Sequence, residues 1–167
     1  MIFRHDPQHP GKTHNIRFTL SSIDLEKYDA VVIFDADNLA HPDFLTKMND
    51  YLAVHPEAKA VQGYLDTKNP CDSWLTRAYA LAYCYTNRFW QLARVNWGSP
   101  VTLGSTGLLI RTSFIKRFGW NSKSFIEDLE ISTRLALEGG KVHWNEWAIT
   151  YDEKPLLYRY SHRQRMR

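Results

Sequence analysis

Cysteine is scarce in this 167-residue chain, and Cys71 and Cys84 have neither CxxC spacing nor the company a disulfide scaffold needs. A reduced, cytosolic setting with two packed thiols is the expectation. Glycine and proline are also few, at eight and seven residues, with no repeat or low-complexity tract, which excludes collagen-like and disordered classes. No apolar run reaches the ~18 residues of a membrane span. The longest candidate, Trp74 to Ala93, is broken by Arg77, Asn87, Arg88 and Gln91, so the fragment is expected to be soluble. The opening MIFRHDPQHPGK lacks the apolar centre of a signal peptide. Acid is missing from the tail, where Lys154 to Arg167 holds four Arg, one Lys and no carboxylate. Such a segment attracts anions.

What remains is an ordinary globular composition, 44% hydrophobic with 14% aromatic residues, sufficient for one domain with a real core. Ala30–Phe34 is an uninterrupted apolar run that reads as a parallel strand covered on both faces. Helices are expected over residues 12–22, from Pro42 to about Val54 with His55 and Pro56 ending it, along a long aromatic segment capped by Ser73, and over 112–118 and 127–137. A further helix is expected from Leu156 onward. Strands are expected over 59–65, 108–110, 141–144 and 148–151. This alternation predicts an α/β sheet, in which ligands bind beyond the carboxyl ends of the strands.

One such end is AVVIFDADN, where the apolar strand runs into Asp35 and Asp37. Two carboxylates there can share a hard divalent cation. Equally, Asp37 and Asn38 can make the turn before the next helix, and the pattern alone leaves both readings open. In FIEDLEIS, Glu127 and Asp128 open a helix whose Leu129, Thr133, Leu135 and Ala136 are expected to face inward; acids in a first turn also serve the helix dipole. In LGSTGLLIR, Gly104 and Gly107 allow close backbone approach to a ligand or form a turn. In SHRQRMR, Gln164, Arg165 and Arg167 can meet phosphate oxygens or form a solvated basic face. The aromatic segment containing Trp74, Tyr79, Tyr83, Tyr85, Phe89 and Trp90 can stack on sugar rings or rest at a membrane interface, and is expected to be mainly core. His5, His9 and His14 are interrupted by Pro7 and Pro10, and a metal role for them is not favoured.

Taken in order, a strand-end DAD, a GSTG loop before a strand, an ED helix and QRMR resemble the family 2 inverting glycosyltransferases of GT-A fold. The resemblance runs from HPGKTHNIRF to the last residue. It is nearest the processive, membrane-associated branch that includes cellulose, hyaluronan and poly-N-acetylglucosamine synthases. It implies a mixed, mainly parallel sheet flanked by helices and missing its first strands, and a single partial catalytic domain over residues 1–167.

By the same resemblance, Asp35 and Asp37 hold Mg²⁺ or Mn²⁺ and the donor diphosphate, with Lys12 near the nucleotide. Asp128 is the general base; Gly104, Ser105, Thr106, Gly107 and Glu127 border the acceptor. Gln164, Arg165 and Arg167 match the start of a Q-x-x-R-W signature that contacts the diphosphate. The implied partners are a nucleotide-sugar donor of the UDP class and a glycan or lipid-linked acceptor, with no nucleic acid. The parent protein is expected in the cell membrane, held by parts outside this chain, with this domain cytosolic. Two rivals stand beside this reading: VVIFDADN also resembles the first motif of haloacid-dehalogenase-like phosphatases, with Asp35 as nucleophile, and a truncated remnant can bind without turnover.

Overall fold

A computed structural model describes residues 2–8, 11–120 and 127–166, with Glu127 described by its backbone alone. Its five-stranded sheet has the order β1-β4-β3-β5-β2, where β1 is Ala30–Ile33, β2 Leu39–Ala40, β3 Ala60–Thr67, β4 Leu108–Arg111 and β5 Val142–Asp152. β3 and β5 pair in parallel, while β4 runs antiparallel between β1 and β3, and β2 antiparallel along β5. Thus β1, β3 and β5 share one direction. The sheet is mixed, as expected.

The helices are α1 (Lys12–Ser22), α2 (Phe44–Val54), α3 (Trp74–Tyr85), α4 (Leu92–Asn96), α5 (Thr112–Phe118), α6 (Glu127–Leu137) and α7 (Tyr158–Arg165). They form two layers because successive strand residues point to opposite faces. Ala60, Leu108, Ile110, Val142 and Trp144 join Leu20 of α1, Phe114 and Ile115 of α5 and Leu135 of α6 on one face. Val61, Leu109 and Ala148 join Phe44 and Met48 of α2 on the other. Phe44 and Met48 stand one helical turn apart and are 1% and 0% exposed. Burying each contributes about 1.5–3 kcal/mol.

Several expectations need correction. Strand β1 is covered on both faces, with Val31 and Ile33 toward one cluster and Ala30 and Val32 toward the other. Its partner β4 is nevertheless antiparallel, because an apolar run reports coverage and not the direction of a neighbour. The strands expected over 141–144 and 148–151 are one, joined through an irregular register opposite Gly63 and Tyr64. A bulge of this kind interrupts the hydrophobic pattern without ending the strand. In α6, Leu135 is buried and Ile131 partly so, whereas Leu129, Thr133 and Ala136 are exposed. Asp128, Ile131 and Leu135 make the i, i+3, i+7 stripe instead.

The aromatic helix departs most. Ser73 caps α3 through a capping box with Thr76, and the helix continues through a π-helical turn, Thr86–Gln91, into α4. Its inward side is largely polar: Thr76, Asn87 and Gln91 are buried. Asn87 donates to the carbonyls of Leu65 and Tyr83 at 2.8 Å each, and Gln91 exchanges bonds with the Thr102 backbone. Those bonds hold the helix to the sheet, so Trp74, Tyr85, Phe89 and Trp90 face outward, Trp74 at 69% exposure. Only Tyr79 and Tyr83 turn inward, and both are half-buried. Cys71 and Cys84, expected as packed thiols, are free and exposed. Among the described residues, no helix is long and apolar enough to cross a membrane. Among the described residues, His5 and His14 join no group of three or more metal-ligating side chains, and His9 lies outside those residues.

Candidate active site

At the carboxyl ends of β1 and β5, an open cleft of about 690 Å³ is lined by Asp35, Ala36, Asp37, Tyr83, Ser105, Asp152, Lys154 and Gln164. That volume lies within the range of small-molecule sites. β1 delivers Asp35 directly, and the Asp35 amide donates to the Thr106 hydroxyl at 3.0 Å. With the Asn38 amide oriented so that its oxygen accepts from Thr106 at 2.6 Å, its nitrogen donates to Asp37 at 3.0 Å and Asp152 at 3.2 Å. Asn38 thereby joins the turn after β1 to the end of β5.

Cations already face these carboxylates. Lys12, in the first turn of α1, donates to Asp35 at 2.5 Å and also to the Ser105 carbonyl. Lys154 donates to Asp152 at 2.5 Å, and Tyr83 donates to the same oxygen at 2.6 Å. Burial, followed by the bond to Asp152, raises the Tyr83 phenol far above the ordinary tyrosine range. It remains a donor.

The GSTG loop is held from beneath by a buried amide. The nitrogen of Gln62, in β3 and 1% exposed, donates to the carbonyls of Thr106 and Gly107 at 3.0 and 3.3 Å, while its oxygen accepts from the Gly104 amide at 2.7 Å. Gly107 adopts φ 61°, and a Cβ there would stand 2.6 Å from the Thr150 hydroxyl. Glycine is required at this position for both reasons.

Asp128 is placed differently. It lines a crevice of about 10 Å³, room for about one water, with Gly104, Ser105, Leu108, Trp120 and Ile131. It does not reach the open cleft, but Ser105 lines both spaces. On α7, Gln164 reaches the carboxylate cleft, whereas Arg165 lies 5.4 Å from the Tyr79 ring centre and lines a second cleft between α3 and α7. Burial acts to raise the Tyr79 phenol, but hydrogen bonds with Ser161 and Arg165 and the nearby cations outweigh it and lower the pKa. Arg167 and the side chain of Glu127 lie outside the described residues.

A carboxylate-lined cleft at the carboxyl edge of an α/β sheet suits more than one chemistry; comparison with known proteins separates them. The family described as glycosyltransferase like family 2 matches residues 1–167. The chain belongs to glycosyltransferase-like family 2. Among similar proteins, the probable glycosyltransferase YdaM of Bacillus subtilis (strain 168) is 28% identical over 140 residues, covering 83% of this chain and 33% of that protein. Glucomannan 4-beta-mannosyltransferase 7 of Arabidopsis thaliana is 26% identical over 136 residues, covering 81% and 24% respectively. The probable glucomannan 4-beta-mannosyltransferase 3 of Oryza sativa subsp. japonica is 25% identical over 142 residues, covering 84% and 26%. The chain thus spans roughly a quarter to a third of these relatives.

Membership of this family favours sugar transfer over the phosphatase reading of VVIFDADN. Sequence reasoning missed Gln62, Asp152 and Lys154, and it named Tyr83 only within the aromatic segment, not as a partner of Asp152. A signal was present for Asp152, since WAITYD repeats the apolar-strand-into-acid pattern of VVIFD. Gln62 and Tyr83 carried none, because nothing local marks a polar residue as pointing at a loop far along the chain.

Proposed function

We propose that this domain transfers a sugar from a nucleotide-diphosphate donor to a glycan or lipid-linked acceptor with inversion, as the catalytic part of a longer, membrane-associated enzyme. The convergence of Asp35, Asp37, Asp152, Lys154 and Gln164 on one cleft that shares Ser105 with the Asp128 crevice carries the reading. Family membership supports sugar transfer in general and a divalent metal with it. Names such as glucomannan 4-beta-mannosyltransferase support a hexose donor and a glycan acceptor. The membrane-associated, processive part of the reading is supported by the motif resemblance.

Asp35 and Asp37 would hold Mg²⁺ or Mn²⁺. The oxygen-only donor set fits a hard cation that keeps waters and substrate oxygens rather than a cage of protein ligands. When bound, the ion neutralises charge on the leaving diphosphate. Lys12 and Lys154 hold the carboxylates in place and add positive charge beside the phosphates. Asp128 takes the proton from the acceptor hydroxyl as that oxygen bonds to the anomeric carbon and the bond to the diphosphate breaks. Gln164 supplies an amide at the phosphate end of the cleft.

The test is calorimetric titration with a panel of nucleotide-diphosphate sugars, UDP- and mannose-bearing donors included, with and without Mn²⁺. Metal-dependent binding that falls at least tenfold in Asp37→Ala is expected. Asp128→Asn should bind donor normally and lose transfer by two or more orders of magnitude in a protein carrying the whole enzyme. Donor binding indifferent to both Mn²⁺ and Asp37→Ala would sink the proposal.

A further inference from the structure

At the opposite edge of the sheet, His55, Glu57 and His143 each offer a ligand atom, and the three atoms all lie within 4.8 Å of one another. His55 caps α2, its amide bonded to the Tyr51 carbonyl at 2.9 Å. The turn that follows closes with Ala58 donating to the His55 carbonyl at 3.0 Å, which brings Glu57 back beside the ring. The His55 Nδ1 and the Glu57 carboxylate are 3.4 Å apart. His143 is the second residue of β5 and is 9% exposed. Its ring is oriented by the Tyr51 hydroxyl, 3.2 Å from Nδ1.

This place is remote from the donor cleft. The register sets Ala60 beside Val142 and Thr67 beside Asp152, so His143 and Asp152 stand near opposite ends of β5. Their partners on β3, Val61 and Thr67, are six residues apart, which at about 3.3 Å per strand residue separates the two places by roughly 20 Å.

We propose that His55, Glu57 and His143 form a site for Zn²⁺ or a similar borderline transition ion, a clip between the end of α2 and the start of β5. Two imidazoles and one carboxylate, with a water in the fourth position, are a zinc-type donor set and a poor match to Mg²⁺. Ligand atoms of a tetrahedral zinc site stand about 3.3 Å apart, given bonds of about 2.0–2.1 Å. Closing from within 4.8 Å falls to His55 and Glu57, whose side chains are 40% and 63% exposed, against a His143 that is buried. His143 is the fixed member. A polar partner on a ligating imidazole, as Tyr51 is here, sets the ring for the metal.

Zinc affinity of the purified chain, measured by chelator competition, together with the visible spectrum of its Co²⁺ form, tests the site. The expected result is a tetrahedral Co²⁺ spectrum and Zn²⁺ binding that weakens at least tenfold in both His55→Ala and Glu57→Gln. Those two exposed positions are chosen because His143→Ala removes a buried ring and can fail to fold. Asp35→Asn, Asp37→Asn and the Cys71→Ser/Cys84→Ser double variant should leave the zinc affinity unchanged. The proposal is overturned if the chain binds no Zn²⁺, if His55→Ala and Glu57→Gln bind it as the parent does, or if only the Asp or Cys variants lose it.

Discussion

At their amino ends the parallel strands β3 and β5 are packed mainly by apolar side chains, Ala60 and Val142 toward α5 and α6 and Val61 toward α2, with His143 of β5 the polar exception. At their carboxyl ends the same strands carry Asp66, Thr67, Tyr151 and Asp152, and polar groups from the turn after β1, from α3 and from the segment after β5 bind them together. One end is held by area removed from water, the other by directed bonds between residues far apart in the chain. Damage should therefore read out differently: at the packed end it removes stability and leaves the site's chemistry, and at the polar end it disturbs geometry at smaller cost in stability.

The largest effect belongs to the packed end. Met48→Ala, at a side chain 0% exposed, should cost about 2–5 kcal/mol by urea unfolding. Donor affinity of the molecules that remain folded should not change. A variant that lost affinity while keeping its unfolding midpoint would break the division between the two ends.

Next is Gly107→Ala, where the regions meet. A left-handed backbone and a Cβ 2.6 Å from Thr150 should together cost about 2–4 kcal/mol. Because Gln62 holds the Gly107 carbonyl, displacement of the loop carries Ser105 and Thr106 with it. Affinity for donor should fall in parallel with stability, unlike Met48→Ala. Tyr83→Phe ranks third: losing the bond to Asp152 should cost about 1–2 kcal/mol, with donor affinity reduced severalfold in the same titration.

How far the sequence anticipates the molecule follows the same division. The bounds of α1, α5 and α6 agree with expectation because helix-forming composition and stop signals such as Gly139 are local. Strand-end acids at Asp35 and Asp37 were legible for the same reason. The site's remaining parts were not, since Gln62 reaches the GSTG loop and Tyr83 reaches Asp152 across long stretches of chain, and periodicity carries no record of a polar contact. The aromatic helix misled for a related cause: composition suggested core, but Asn87 and Gln91 found backbone partners and took the inward side. Arg165 shows the limit of a motif, which places a residue in the chain without aiming its side chain; here it meets Tyr79.

The smallest expected effect sharpens the comparison within the polar end itself. Two lysine–carboxylate pairs stand there with almost the same distance, Lys68–Glu153 at 2.6 Å and Lys154–Asp152 at 2.5 Å. Their surroundings differ. Side-chain exposure is 39% and 52% in the first pair but 13% and 17% in the second. Water and salt screen the exposed pair, and the entropy of fixing two long side chains offsets much of its attraction, so Lys68→Met should change stability by less than about 0.5 kcal/mol. Lys154→Met leaves Asp152 with Tyr83 and Asn38 but no cation in a half-buried setting, and should cost distinctly more. Urea unfolding at low and high salt separates the cases: added salt should erase the small effect of Lys68→Met and leave most of that of Lys154→Met. Equal losses for the two would show that distance, not burial, sets the strength of ion pairs at this edge.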